Sequence, residues 1–136
     1  MKIEVIKQYS VFLPNKPGAL ADLAKRFGDQ GIDIVGISSE VRDDSALVRI
    51  ALSGEGDHSA VISKAGYASV ESQMLSVEVE DKPGQLHKVT KALGEGAVNI
   101  TNIYGTAIGG SVSRLLLAVE NTQKALKVLE RLQQTL

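Results

Sequence analysis

The chain has no Cys and no Trp, and only two Phe and three Tyr among 136 residues. Without thiols there is no disulfide, no thiolate metal site and no cysteine nucleophile. Few aromatics and a net charge of −1, from 15 basic and 16 acidic side chains, provide neither stacking platforms nor the positive face that nucleic acid needs. No apolar run approaches the roughly 20 residues that cross a bilayer. Lys and Glu interrupt the N-terminal MKIEVIKQYSVFLP, which also has no small-residue cleavage site, so it does not read as a signal peptide. The expectation is a soluble, cytoplasmic protein with no nucleic-acid or membrane partner. Walker, Gly-x-Ser-x-Gly and His-Glu-x-x-His sequences are all missing. His58 and His87 stand alone, and SGEG at 53–56 reads as a loop. No catalytic residue, metal ligand or cofactor is expected. A hydrophobic content of 43% is enough for a core without staples.

What is there is a repeat. Two of the three prolines sit in near-identical segments, NKPGAL at Asn15–Leu20 and DKPGQL at Asp81–Leu86. Slid by 66 residues, the distance from Pro17 to Pro83, the chain also superposes Lys25 on Lys91, Gly28 on Gly94 and GIDIVGI on AVNITNI. A period this long suits a small α/β module used twice. YSVFL and LSVEV read as strands, each ending at a turn signal. Helical spacing follows, through Leu20, Leu23, Ala24 and Phe27, and again through Leu86, Val89 and Leu93. Pro17 and Pro83 are expected in the first helical turn, and Gly31 and Gly96 at the helix stops. Asp43-Asp44 and Gly109-Gly110 mark hairpins. A weak helix over His58–Ala65 and a stronger one with a stripe at Ala125, Leu129, Leu132 and Leu136 close the two copies.

Each module then needs one more strand. ASVESQ (Ala68–Gln73) serves the first copy. The second has only KIEVI (Lys2–Ile6), at the far end of the chain. The expected domains are 7–74 and 75–136, with strand 2–6 completing the second.

A strand feeding a helix through Pro-Gly gathers unpaired backbone N–H groups at one spot, with the helix dipole behind them. Such a spot accepts a carboxylate without Lys or Arg. Gly18 and Gly84 would let a ligand come close. The competing reading makes Asn15 and Asp81 plain N-caps. Arg49 and Arg114 recur on the return strands and read as exposed strand-edge charges.

The pattern (Asn/Asp)-x-Pro-Gly-x-Leu, helix, (Val/Ile)-(Asn/Asp)-Ile resembles the ACT domain, in both copies and over nearly the whole chain. The resemblance implies an α+β fold of two ferredoxin-like βαββαβ modules, antiparallel sheets with helices on one face. It also implies an amino-acid-binding regulatory role, a homodimer, and a partner enzyme of amino-acid metabolism. Ligand would sit between modules, on Asn15, Pro17, Gly18, Ala19 and Leu20 with Asp33 and Ile34, and on Asp81, Pro83, Gly84, Gln85 and Leu86 with Asn99 and Ile100. In a side-by-side pair Asn15 would meet Asn99, and Asp81 would meet Asp33. The family's His before the loop is Leu13 and Val79 here, which leaves the ligand open. The alternative is a module that binds only a protein partner and no metabolite.

Overall fold

The computed structural model describes residues 1–54 and 56–135. Glu55 of the 53–56 loop and Leu136 of the last helical stripe lie outside the described residues. The elements are β1 (Lys2–Pro14), α1 (Ala19–Asp29), β2 (Ile34–Arg42), β3 (Ser45–Leu52), α2 (Ser59–Lys64), β4 (Ala68–Glu80), α3 (Gln85–Glu95), β5 (Ile100–Gly109), β6 (Val112–Val119) and α4 (Thr122–Gln134).

The fold is α+β, with six antiparallel strands and four helices, where the sequence suggests eight strands. Lys2–Ile6 and Tyr9–Leu13 are one strand of 13 residues, and so are Ala68–Gln73 and Leu75–Val79. No Gly, Pro, Asn or Asp separates either pair of segments, so nothing stops the extended chain.

The chain divides into two compact units, one contiguous (Ile6–Ser72) and one built from Met1–Val5 with Gln73–Leu136. In the first unit the strand order is β2-β3-β1-β4, using Ile6–Pro14 and Ala68–Ser72 of the long strands. Alternation along β1 and β3 sends Tyr9, Val11, Leu13, Val48, Ile50 and Leu52 to one side, where they meet Leu23 and Phe27 of α1 and Ile62 of α2. On α1 the i, i+4 ion pairs Arg26–Asp22 (3.3 Å) and Lys25–Asp29 (2.7 Å) lie on the wet face and add only tenths of a kcal/mol each.

Tyr9 is fully buried, and its hydroxyl accepts the His58 N–H (3.0 Å) and donates to Asp57 Oδ1 (3.4 Å). The same Asp57 oxygen accepts the Ser59 N–H (2.9 Å) at the start of α2. Burial pushes the Tyr9 phenol up, and the bonds from Ser59 hold the Asp57 carboxyl down. This anchor lets a helix of six residues form where propensity alone would not suffice. Tyr9→Phe strands the His58 N–H and should cost about 1–2 kcal/mol in urea unfolding. A loss below about 0.5 kcal/mol would show that the hydroxyl anchors nothing.

The second unit has the order β1-β4-β6-β5, with Lys2–Val5 and Gln73–Glu80 as its share of the long strands. Leu75, Val77, Val79, Val89, Leu93 and Leu129 form its core, and Met1 and Ile3 pack against it. Gln133 Nε2 donates to the Met1 carbonyl. Asn121 caps α4, its Oδ1 accepting the Lys124 N–H at 3.0 Å.

Three details differ from the sequence reading. Pro17 and Pro83 precede the helices rather than opening them. The N-caps are Gly18 (φ 90°) and Gly84 (φ 94°), whose left-handed backbone swings the strand into the helix. Proline, fixed near φ −65°, cannot make that swing. At the helix ends the left-handed residue is Gly31 (φ 70°) in one copy but Ala97 (φ 58°), not Gly96, in the other. Both close the same way, with Ile32 N–H on Phe27 O (3.0 Å) and Val98 N–H on Leu93 O (2.9 Å). Finally, Val11 pairs with Val48 but Val77 with Leu115, so the repeat offset grows from 66 to 67 after the second hairpin, which carries one extra residue.

Candidate functional site

The first Pro-Gly loop is pinned to the β2–β3 hairpin. The Asn15 N–H donates to Asp44 O (2.9 Å) and Asn15 Nδ2 to Asp43 O (3.3 Å). Asn15 therefore caps nothing, and no side chain caps α1. One of its two Nδ2 N–H donors goes to the hairpin, which leaves Oδ1 as an acceptor at the loop mouth. Within α1 the first intrahelical donor is Asp22, on Gly18 O (3.0 Å). The N–H groups of Leu20 and Ala21 have no acceptor among the described residues, as the start of a helix dictates. Leu20 is 41% exposed and stands beside the loop instead of in the core.

Beneath the loop lies a cleft of ≈ 160 Å³. Leu13, Pro14, Ala19, Leu20, Ala46 and Val48 line it, together with the polar side chains of Asn15, Lys16 and Ser39.

The second loop repeats the backbone and changes the chemistry. The Asp81 N–H donates to Ser111 O (2.8 Å), and α3 starts at Gly84 without a side-chain cap. So the capping reading of Asn15 and Asp81 gives way to a backbone cap in both copies. The adjoining cleft is larger, ≈ 360 Å³, and shares four matched positions with the first: Val79, Glu80, Lys82 and Gln85 stand for Leu13, Pro14, Lys16 and Ala19. Lys2 and Lys88 also line it. Lys82 pairs with Glu80 at 2.9 Å and holds that carboxyl below the usual range. Lys16 has no carboxylate partner among the described residues, because Pro14 occupies the matched position.

The strand positions stand elsewhere. Asp33 and Asn99 precede β2 and β5, whereas the loops bond to the opposite ends of those strands. Nine residues of β2 put roughly 25–30 Å between Asn15 and Asp33 within one unit. The Asp33 carbonyl accepts the Ser53 N–H (3.1 Å), and Asn99 Nδ2 donates to Glu120 Oε1 (3.0 Å). Ile34 and Ile100 are partly buried against their cores. Leu13 and Val79, at the family's His position, are core residues.

Arg49 and Arg114 are not on strand edges. They sit on the inner strands β3 and β6, paired with Glu40 and Glu78, both at 3.1 Å. Nor are they equivalents, since the extra hairpin residue aligns Arg114 with Leu47. The His58 N–H serves the Tyr9 anchor, and His87 lies exposed on α3. Among the described residues, no cluster of three His, Cys, Asp or Glu could hold a metal, and no helix is long and apolar enough to cross a membrane. Sequence reasoning missed Lys16 and the cleft floor. The mismatch of Pro14 with Glu80 was the signal that could have found the first.

Two βαββαβ units, each opening its first helix on a Pro-Gly loop, define a tandem ferredoxin-like protein. The model of the ACT domain pair family matches residues 4–135, and the chain belongs to that family. A solved protein of Bacteroides thetaiotaomicron is similar, with TM-score 0.84 and 23% identity over 95% of this chain and 89% of that one. The ligand-free regulatory subunit of aspartate kinase from Thermus thermophilus gives 0.67 and 15%, over 97% of both chains. Aspartate kinase from Clostridium acetobutylicum gives 0.64 and 15%, over 96% of this chain and 33% of that one. At these identities the likeness is one of fold. No curated protein matches the chain.

Proposed function

We propose that this chain is a non-catalytic regulatory protein of the cytoplasm that binds a small amino acid at an interface between ACT modules. A second copy of the chain supplies the facing module. The observation that carries the reading is the first loop. Its helix is capped by Gly18 alone, so the Leu20 and Ala21 N–H groups stay free for a carboxylate, with Asn15 Oδ1 held ready for an ammonium group. Asn99 from a facing module would complete this site, and Asp33 would face Asp81 at the other. Binding across such an interface favours one arrangement of modules and passes the signal to a partner enzyme as a population shift.

A thermal-shift screen of the full chain against the twenty amino acids tests this. A ligand at ~100 times its dissociation constant adds about 2.7 kcal/mol of stability. Asn15→Ala should weaken binding about tenfold, because it removes a hydrogen bond to a charged group, and should barely alter the unliganded melt. If none of the twenty shifts the melt, the reading fails.

A second reading, a protein-only interaction module, draws on Ile37 and Ile103. These are matched residues on the outermost strands β2 and β5, 46% and 39% exposed. The partner kind is suggested by the similar fold of an aspartate kinase regulatory subunit. This reading gains if the screen is silent while a partner enzyme is captured.

A further inference from the structure

The two loop clefts share a backbone plan and differ in lining, and the difference points to the ligand. On the reading that the loops bind an amino acid, we infer that the first cleft selects a neutral aliphatic α-amino acid, and that Glu80 closes the second cleft to the same ligand by occupying Lys82.

Size and polarity carry the first half. The first cleft is open to solvent on one side and, at ≈ 160 Å³, has room for a small side chain of about three or four carbons. Leu13, Ala46 and Val48 line it, with Ser39 as its one hydroxyl. A charged side chain placed there would leave water without a compensating charge, and a polar one would meet a single hydroxyl. The ends of the ligand are met at the rim, where Lys16 supplies a cation for the carboxylate and Asn15 Oδ1 an acceptor for the ammonium group.

The second half rests on one exchanged residue. Pro14 has no charge to offer Lys16, whereas Glu80, at the matched position, bonds Lys82 at 2.9 Å. A carboxylate ligand at the second loop must displace Glu80, and Gln85 stands where the first cleft has only Ala19. Glu80 therefore competes with a ligand carboxylate for Lys82, the matched cation, in a cleft that Lys2 and Lys88 also line.

Isothermal titration of the full chain with L-valine, L-leucine, L-isoleucine, L-serine, L-aspartate and L-lysine tests this. One aliphatic ligand should bind about tenfold or more tighter than L-serine, since each buried methylene adds strongly to affinity, with one site per chain. Pro14→Glu, which imports the carboxylate of the second copy, should weaken it about tenfold, and Pro14→Gln should not. If Pro14→Glu fails to fold, Lys16→Gln should give the same loss. Lys64→Gln, which removes a charge from α2, should leave binding unchanged.

Tighter binding of L-serine, L-aspartate or L-lysine would overturn the inference and leave the loop site standing. Two equal sites per chain would do the same, as would full affinity in Pro14→Glu or Lys16→Gln. Silence with all twenty amino acids in the thermal screen would overturn both.

Discussion

Phe27→Ala is expected to lower the stability of the Ile6–Ser72 unit by about 3–5 kcal/mol, and Leu93→Ala that of the other unit by about 2–5 kcal/mol. The two side chains occupy matched repeat positions, both are completely buried, and each plugs its own core cluster. Truncation removes the transfer free energy and leaves a cavity that rigid sheet neighbours cannot collapse. Urea unfolding followed by circular dichroism measures the loss. A single shifted transition would show that the units melt together; two transitions with one displaced would show that they melt separately. A loss under about 1 kcal/mol at either site would contradict the packing described.

The second large effect concerns the first five residues. Their removal takes away the strand that flanks β4, the packing of Met1 and Ile3, and the carbonyl that Gln133 engages. We propose, with domains at 7–74 and 75–136 plus strand 2–6, that the deletion costs the second unit about 2–4 kcal/mol and spares the first. Amide exchange gives the site-by-site readout. Protection that falls throughout 73–135 but holds through 6–72 is the expected pattern. Undiminished protection of α3 and β6 would refute the assignment.

Much of this molecule is legible in its sequence, and the reasons are local. A doubled Lys-Pro-Gly before a 3.6-residue apolar pattern marks both strand-to-helix turns, because only glycine makes the left-handed swing at Gly18 and Gly84 cheaply. The hairpins announce themselves through Asp43-Asp44 and Gly109-Gly110. Other features depend on partners far along the chain. β1 and β4 run unbroken because no turn residue falls at Lys7-Gln8 or at Met74, and the strands they pair with lie far along the chain. Sequence points to Gly96 as the helix stop, yet the backbone places Ala97 in the left-handed position, a substitution that packing tolerates at about 1 kcal/mol. Arg49 and Arg114 recur on the return strands, yet the pairing register matches Arg49 with Leu116 and Arg114 with Leu47. The loop half of the candidate site was readable, and its floor was not. Ala46 and Val48 reach Leu13 only through the register of β3 on β1.

The discontinuous unit also has a consequence for biosynthesis. Residues 1–5 are made well before the rest of their unit, which begins at Gln73. At roughly 5–20 residues per second, the ribosome takes several seconds to add Gln73–Leu136. During that interval the Ile6–Ser72 segment has all of its own strands and helices, while the Lys2–Val5 strand waits with its backbone edge uncovered. The nascent chain thus carries an open β-edge, the state in which another chain, or a chaperone, competes for the place β4 will take.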